Sequence, residues 1–325
     1  MGYPTSVMVQ NDASEAMAQQ SWQCSRTLIG HESWVRAIAV SPRGDYIVSG
    51  SGDRTVKLWN LQDGSLLRTL RGHDGWIRAI AVNADGKLIA SASNDTTIRL
   101  WTPKGDCLGV LDEHEDAVRS LLFSPDHRTV ISGSQDNTIR LWSLNRRTTR
   151  HTLAGHDHWV LALAMTPSAR TLVSGCYDGT IGFWHLKSRT RYQTVAAHEG
   201  EVLSVAISPT VRLLASGGAD QQVKLWKLET GEPLLSLTGH RGAVNSLAFS
   251  PDGQFLASAS SDRTIKLWHL GSGKLLETLE GHEGWVWSVA FAPHLVGDRH
   301  VLVSGGWDGT LRIWRSPRNW GAIAS

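Results

Sequence analysis

Apolar and polar residues alternate along this chain in runs too short for helices. Segments such as VNSLAF and FLASAS are bounded by the turn-forming SPDG and TG, a rhythm that predicts short β-strands, four to a unit. Within a unit the apolar positions after a recurring His fall at the fourth, seventh and ninth residues, as Val286, Val289 and Phe291 do after His282. The alternation therefore changes parity between the fourth and seventh positions, and a β-bulge is the ordinary way to do this. Its consequence is directional. The third and fifth side chains after each His are turned out of the sheet stack, as is the residue before the Asp of the next marked loop.

The unit is written seven times, its His recurring at steps of 41 or 42 residues. Six of these His are followed by an Asp 22 residues on and a Trp six residues after that, while the last repeat keeps the order with four residues inserted. A Ser stands four residues before each Asp. The sets are His31, Ser49, Asp53 and Trp59; His73, Ser91, Asp95 and Trp101; His114, Ser132, Asp136 and Trp142; His156, Ser174, Asp178 and Trp184; His198, Ser216, Asp220 and Trp226; His240, Ser258, Asp262 and Trp268; and His282, Ser304, Asp308 and Trp314.

In this GH…S…D…W arrangement, carried almost throughout by GHRGAVNSLAFSPDGQFLASASSDRTIKLW, the chain resembles the WD-repeat (WD40) family in its bacterial form over residues 22 to 315. The resemblance implies an all-β, closed seven-bladed propeller of four-stranded antiparallel blades. The dipeptide that names the family is absent after every repeat-ending Trp, and Glu113 and Ala197 replace the usual Gly before His in repeats three and five. Closure has its own signal. WQCSRTLIGH matches the strand that precedes each His, as in GKLLETLEGH, and nothing after Trp314 does, so the N-terminal strand is expected to complete the last blade and leave no edge at the seam.

The 325 residues, 41% hydrophobic, suffice for one large all-β domain, and a net charge of +2 is too mild to imply nucleic-acid binding by itself. Cys24, Cys107 and Cys176 are odd in number and far apart, which argues against a disulfide framework or zinc site and fits reducing, cytoplasmic conditions, which the resemblance to the bacterial form would place in a bacterium. Residues 1 to 21 carry no signal-peptide or membrane-span pattern and are expected to form a disordered tail, with a second tail at 316 to 325. Gly2 and Ser6 meet the spacing of a myristoylation motif, a short pattern of little weight.

Ser, His and Asp in every repeat have the composition of a hydrolase triad, but the Trp changes the reading. An indole N–H only donates, Ser passes the bond on, His carries it through its ring and Asp accepts its end, so no nucleophile is left free. The sets match the family's structural tetrad, and no catalytic residue is expected. The remaining histidines are scattered, so neither a metal nor a cofactor is expected.

Fifteen Trp exceed what seven tetrads use. Around the ring, the outward-turned positions hold Trp34 and Arg36, Trp76 and Arg78, Arg119, Trp159 and Tyr177, and in the last repeat Trp285, Trp287 and Trp307; repeats five and six are bland. Trp and Arg dominate interface hot spots, and in the family this side of the ring is the commonest docking surface. Trp22 and Trp320 fall outside the pattern. Turns expected on the opposite side carry Arg146, Arg147, Arg150, Lys187, Arg189 and Arg191 without interleaved aromatic residues, a weaker site for phosphate or an acidic partner. The expectation is a noncatalytic scaffold that docks a protein or peptide across repeats seven, one and two, with nucleic acid the less favoured partner and no membrane span.

Overall fold

The computed structural model describes residues 21–318 and 320, which places the tail expectation for residues 1 to 20 and the Gly2/Ser6 motif outside the described residues. Seven antiparallel sheets of four strands stand in a ring. The first blade runs through Val35–Val40, Tyr46–Ser51, Val56–Asn60 and Leu66–Leu70 from the channel outward. Each innermost strand lies beside those of its two neighbours, and Val35–Val40 closes the circle against Val286–Phe291. The seam is sealed as the sequence requires. Gln23–Leu28 pairs antiparallel with Leu311–Arg315, with Thr27 opposite Arg312 and Leu28 opposite Leu311, so the last sheet is made from both ends of the chain.

Burial explains why a four-stranded blade needs neighbours. Second strands such as Tyr46–Ser51 and Phe255–Ser260 are buried at every residue, whereas outer strands such as Leu66–Leu70 are exposed until a terminal buried Leu. The apolar side chains of one blade are covered by the next: Val48 and Leu58 of the first pack with Ile77, Ile89 and Trp101 of the second. Seven such clusters occur, and each holds one tetrad Trp. At about 1.5–3 kcal/mol per fully buried large apolar side chain, the faces between blades supply most of the cohesion. The fit is close. A Cβ on Gly50 would stand 2.3 Å from Cγ2 of Ile77 in the next blade, so any larger residue there would prise the two sheets apart.

Trp22 and Trp320, unplaced by the repeat pattern, meet in the last of these interfaces. Both are 5% exposed; their rings are 5.2 Å apart, edge to face, and Trp320 lies 4.1 Å from Phe255 of the sixth blade. His300, at the end of the inserted HLVGDRH, packs on Phe255, Phe291 and Trp320. Within the C-terminal segment expected as a tail, Trp320 thus packs against the propeller, because an indole without a place in a repeat still lowers the free energy by covering the seam.

Candidate functional site

The tetrads form as a relay of hydrogen bonds. In all seven blades the indole N–H donates to the Ser hydroxyl at 2.7–2.8 Å. The hydroxyl meets His Nε2 at 2.6–2.8 Å. In six blades His Nδ1 then reaches the Asp carboxylate at 2.6–2.8 Å. A carboxylate can only accept, so it fixes the tautomer with the proton on Nδ1. At Asp53 burial alone would raise the pKa, but hydrogen bonds from His31 and Thr55 outweigh it and hold the carboxyl far below the usual range. Each tetrad Ser hydroxyl is spent inside its blade, between the indole and the imidazole.

The fourth blade departs from this expectation. His156 bonds Ser174 at 2.7 Å, but Asp178 makes no hydrogen bond to His156; it takes the amide and hydroxyl of Thr180, at 2.9 and 2.7 Å, and is also met by the Cys176 thiol. Two substitutions lie beside the open relay. Where Gly72, Gly239 and Gly281 precede their His at φ 151°, 155° and 146°, the fifth repeat has Ala197, which avoids that conformation. The outer strand Thr190–Ala196 therefore runs on to pair Ala196 with Thr180, and the Gly179 carbonyl accepts the amides of Ala197 and His198. Cys176 stands where four other blades have a Ser whose hydroxyl takes the Asp amide, and its thiol donates to the His158 carbonyl at 3.4 Å as Ser51, Ser134 and Ser260 donate to the carbonyls 18 residues before them. Without the carboxylate, burial and then Arg191 push the His156 pKa down to about 4.

The parity change in the apolar pattern is a bulge in every blade. In the first, the register skips from Val35 to Ala37 and leaves Arg36 unpaired; the same skip frees Arg78, Arg119, Leu161, Leu203, Asn245 and Trp287. All seven line the channel along the ring axis. The rim above is built by a second repeated bond, in which the third residue after His offers its carbonyl to the amide of the residue before Asp: Trp34 to Gly52, Trp76 to Asn94, Trp159 to Tyr177 and Trp285 to Trp307. That bond sets the two rim positions of each blade side by side.

Five of the rim and channel indoles form one connected run. Trp76 lies 5.5 Å from Trp34, Trp34 is parallel to Trp307 at 6.3 Å, and Trp307 lies 5.5 Å from Trp285 and 6.3 Å from Trp287. Trp76, Trp285 and Trp307 are 47%, 47% and 53% exposed, and Trp159 with Tyr177 forms a separate exposed pair, ring centres 4.8 Å apart. Trp34 and Trp287, by contrast, are half-buried. Trp34 folds down because Gly52 has no Cβ, which would stand 2.6 Å from the ring, and Trp287 is carried inward by its bulge. The arginines close over the rings. Arg36 lies 4.0 Å above the Trp287 ring, and Arg78 lies 5.2 Å from Trp76 and 5.6 Å from Trp34.

The channel is electrically one-sided. Burial, then the charges of Arg119 and Arg78, pulls the Arg36 pKa well below the usual guanidinium range. Burial, then Arg119, lowers Arg78 to about 10. Arg119 is lowered by burial against the opposing pull of Asp116 and Glu201. At the far side of the ring, Arg146, Arg147, Arg150, Lys187, Arg189 and Arg191 are all exposed, and among the described residues none is within ion-pair distance of an acid. The two turns adjoin, since Arg189 and Arg150 both act on His151, though after burial. No helix among the described residues is long and apolar enough to cross a membrane.

A family model for the WD domain, G-beta repeat, matches residues 22–60, 64–102, 105–143, 147–185, 189–227, 231–269 and 273–315. Similar proteins include the pre-mRNA-splicing factor prp46 of Emericella nidulans, 39% identical over 66 residues, which are 19% of this chain and 15% of the relative. Human pleiotropic regulator 1 is 49% identical over 45 residues, 14% of this chain and 9% of its own length. The nuclear distribution protein PAC1 of Scheffersomyces stipitis is 52% identical over 42 residues, 13% of this chain and 8% of its own. Each match thus spans less than one-sixth of the relative and amounts to little more than a repeat. The bacterial, cytoplasmic setting expected from the sequence is corrected by these relatives, which are eukaryotic and include proteins named as pre-mRNA-splicing factors. With seven matched segments covering 22 to 315, the chain belongs to the WD40 family.

Proposed function

We propose that the chain is a noncatalytic docking module that receives a protein or peptide partner on the Trp- and Arg-rich mouth formed by blades seven, one and two. The observation that carries this is the connected indole run, in which Trp76, Trp285 and Trp307 remain about half exposed. Three such rings offer on the order of 300 Å² of apolar area, comparable with the functional patches of monomers. The ring presents them preorganised, so less side-chain entropy is lost on binding. Arg36, Arg78 and Arg119 add charge beneath the rim, with Trp34, Trp159, Tyr177 and Trp287 beside them. The naming of relatives as pre-mRNA-splicing factors accords with membership of a larger assembly.

Affinity capture from the native cell, with wild type and a folded Trp285→Ala/Trp287→Ala/Trp307→Ala variant, tests the reading: the variant should lose partners that the wild type retains, and equal recovery would refute it. A second reading, an acidic or nucleic-acid partner on the opposite side, is favoured by the uncompensated exposed charge at Arg146, Arg147, Arg150, Lys187, Arg189 and Arg191. Binding that falls steeply with salt, and vanishes when Arg146, Arg147, Lys187 and Arg189 are changed to Glu but survives Trp287→Ala, selects it.

A further inference from the structure

One corner of the fourth blade, at its outer edge and away from the tryptophan rim, joins positive charge to a flat aromatic surface. The turn there, 186 to 189, carries Lys187 and Arg189, and the Leu186 amide bonds the Arg170 carbonyl at 3.1 Å, which brings Arg170 alongside. All three side chains are exposed, and among the described residues none is within ion-pair distance of an acid. The local sequence explains this, since no Asp or Glu occurs between Asp157 and Asp178 or between Asp178 and Glu199. The acids of the adjoining turn in blade five are occupied, Glu229 by Arg212 and Glu232 by Lys227. After burial, Arg189 and Arg150 are the charges that lower the His151 pKa, so the third blade adds Arg150 to the set.

No aromatic side chain sits within these turns, but the outer strand they lead into carries one. The register of Thr190–Ala196 skips from Trp184 opposite Arg191 to Phe183 opposite Gln193, so Tyr192 falls on a bulge. Its ring lies 4.1 Å from that of His185, nearly parallel at 20°, and the Thr171 side chain meets its hydroxyl. Held this way it is still 40% exposed, and His185 is exposed beside it. Such a pair invites a third ring to extend the stack. An acidic peptide would answer the charges without supplying a ring at each repeat. A membrane would call for an apolar side chain projecting into lipid, and the turn tip offers Lys and Arg. A single strand of nucleic acid brings both a phosphate and an unpaired base in every nucleotide, whereas a duplex keeps its base faces in its own stack.

We propose that this corner binds a single-stranded nucleic acid, its phosphates on Arg150, Arg170, Lys187 and Arg189 and one base stacked on the Tyr192 and His185 pair. The inference rests on the second reading for its charge, and adds a residue whose loss leaves that charge intact. Fluorescence anisotropy of a labelled twelve-nucleotide oligoadenylate measures the binding. With about four phosphate contacts at a slope of about −0.7 each, affinity should fall about 50-fold between 50 and 200 mM salt. Tyr192→Leu should weaken binding about tenfold without changing that slope, and Tyr192→Phe should keep most of it. Arg150→Glu/Lys187→Glu/Arg189→Glu should abolish it. All three variants should melt near wild type, because the altered side chains are exposed. Equal binding by Tyr192→Leu would overturn the stacking site and leave the charged surface standing. Equal or tighter binding of poly-glutamate, of phosphatidylserine vesicles or of a duplex of the same length would overturn the choice of partner. Oligonucleotide binding that is absent, or that survives the charge reversal, would overturn this site and the nucleic-acid form of the second reading together.

Discussion

The open relay of the fourth blade allows the worth of one tetrad bond to be measured inside a single protein. Asp53→Ala removes the bond from His31 at 2.7 Å, the Glu32 amide at 3.1 Å and the Thr55 amide and hydroxyl at 2.8 and 2.7 Å. Asp178→Ala removes the two Thr180 bonds, which have near-identical lengths, 2.9 and 2.7 Å, and the contact with the Cys176 thiol, so the turn's contribution largely cancels in the comparison. What remains is the charge-assisted bond from His31, the longer one from the Glu32 amide, and the stranding of the His31 ring, whose side chain is 0% exposed. Charge-assisted bonds contribute about 1.5–3 kcal/mol, and leaving a buried donor unpaired costs the like, so with partial rescue by the Thr55 hydroxyl, 3.4 Å from His31 Nδ1, the net difference is about 2 kcal/mol. For a domain of this size that corresponds to about 4 °C in melting temperature. Thermal and urea unfolding followed by tryptophan emission should therefore show Asp53→Ala unfolding clearly before Asp178→Ala. If the two variants melt together, the relay contributes nothing that the Asp turn does not, and the reasoning fails.

Two further outcomes follow from burial. Trp320→Ala should destabilise by about 3–5 kcal/mol, because the ring is 5% exposed against Phe255 and Trp22, whereas Trp307→Ala, at 53% exposure, should cost about 1 kcal/mol; equal losses in urea titrations would show that the seam is not held by Trp320. His156, lowered to about 4, stays neutral in the fold while its unfolded counterpart protonates near pH 6.5, so between those values the unfolded state binds one more proton and stability falls as the pH drops, by about 3 kcal/mol in all. His156→Gln should flatten the pH dependence of the urea midpoint in that window, and an unchanged slope would assign the dependence to other groups.

The sequence alone determined the period, the strand count per blade, the bulge at the fifth position and the seam strand, because each is written in residues that face only their own repeat or the next one. Alternation sets which side of a strand is buried, and a parity change in it is visible without coordinates. The relay was legible for the same reason, except in the fourth blade, where the His and Asp spacing is unaltered and Asp178 nonetheless bonds Thr180 and not His156. What the tertiary structure decided is everything that depends on the ring being closed. Ile38 donates its amide to the Ser288 hydroxyl across 250 residues of chain, and that juxtaposition of the first and last blades lays Trp34 on Trp307 and Arg36 on Trp287. Exposure of a rim indole is thus a property of two blades at once, and the burial of Trp320 a property of a seam that no repeat encodes. Local pattern cannot specify either, since solvent accessibility is fixed by what arrives from elsewhere in the chain to cover a side chain.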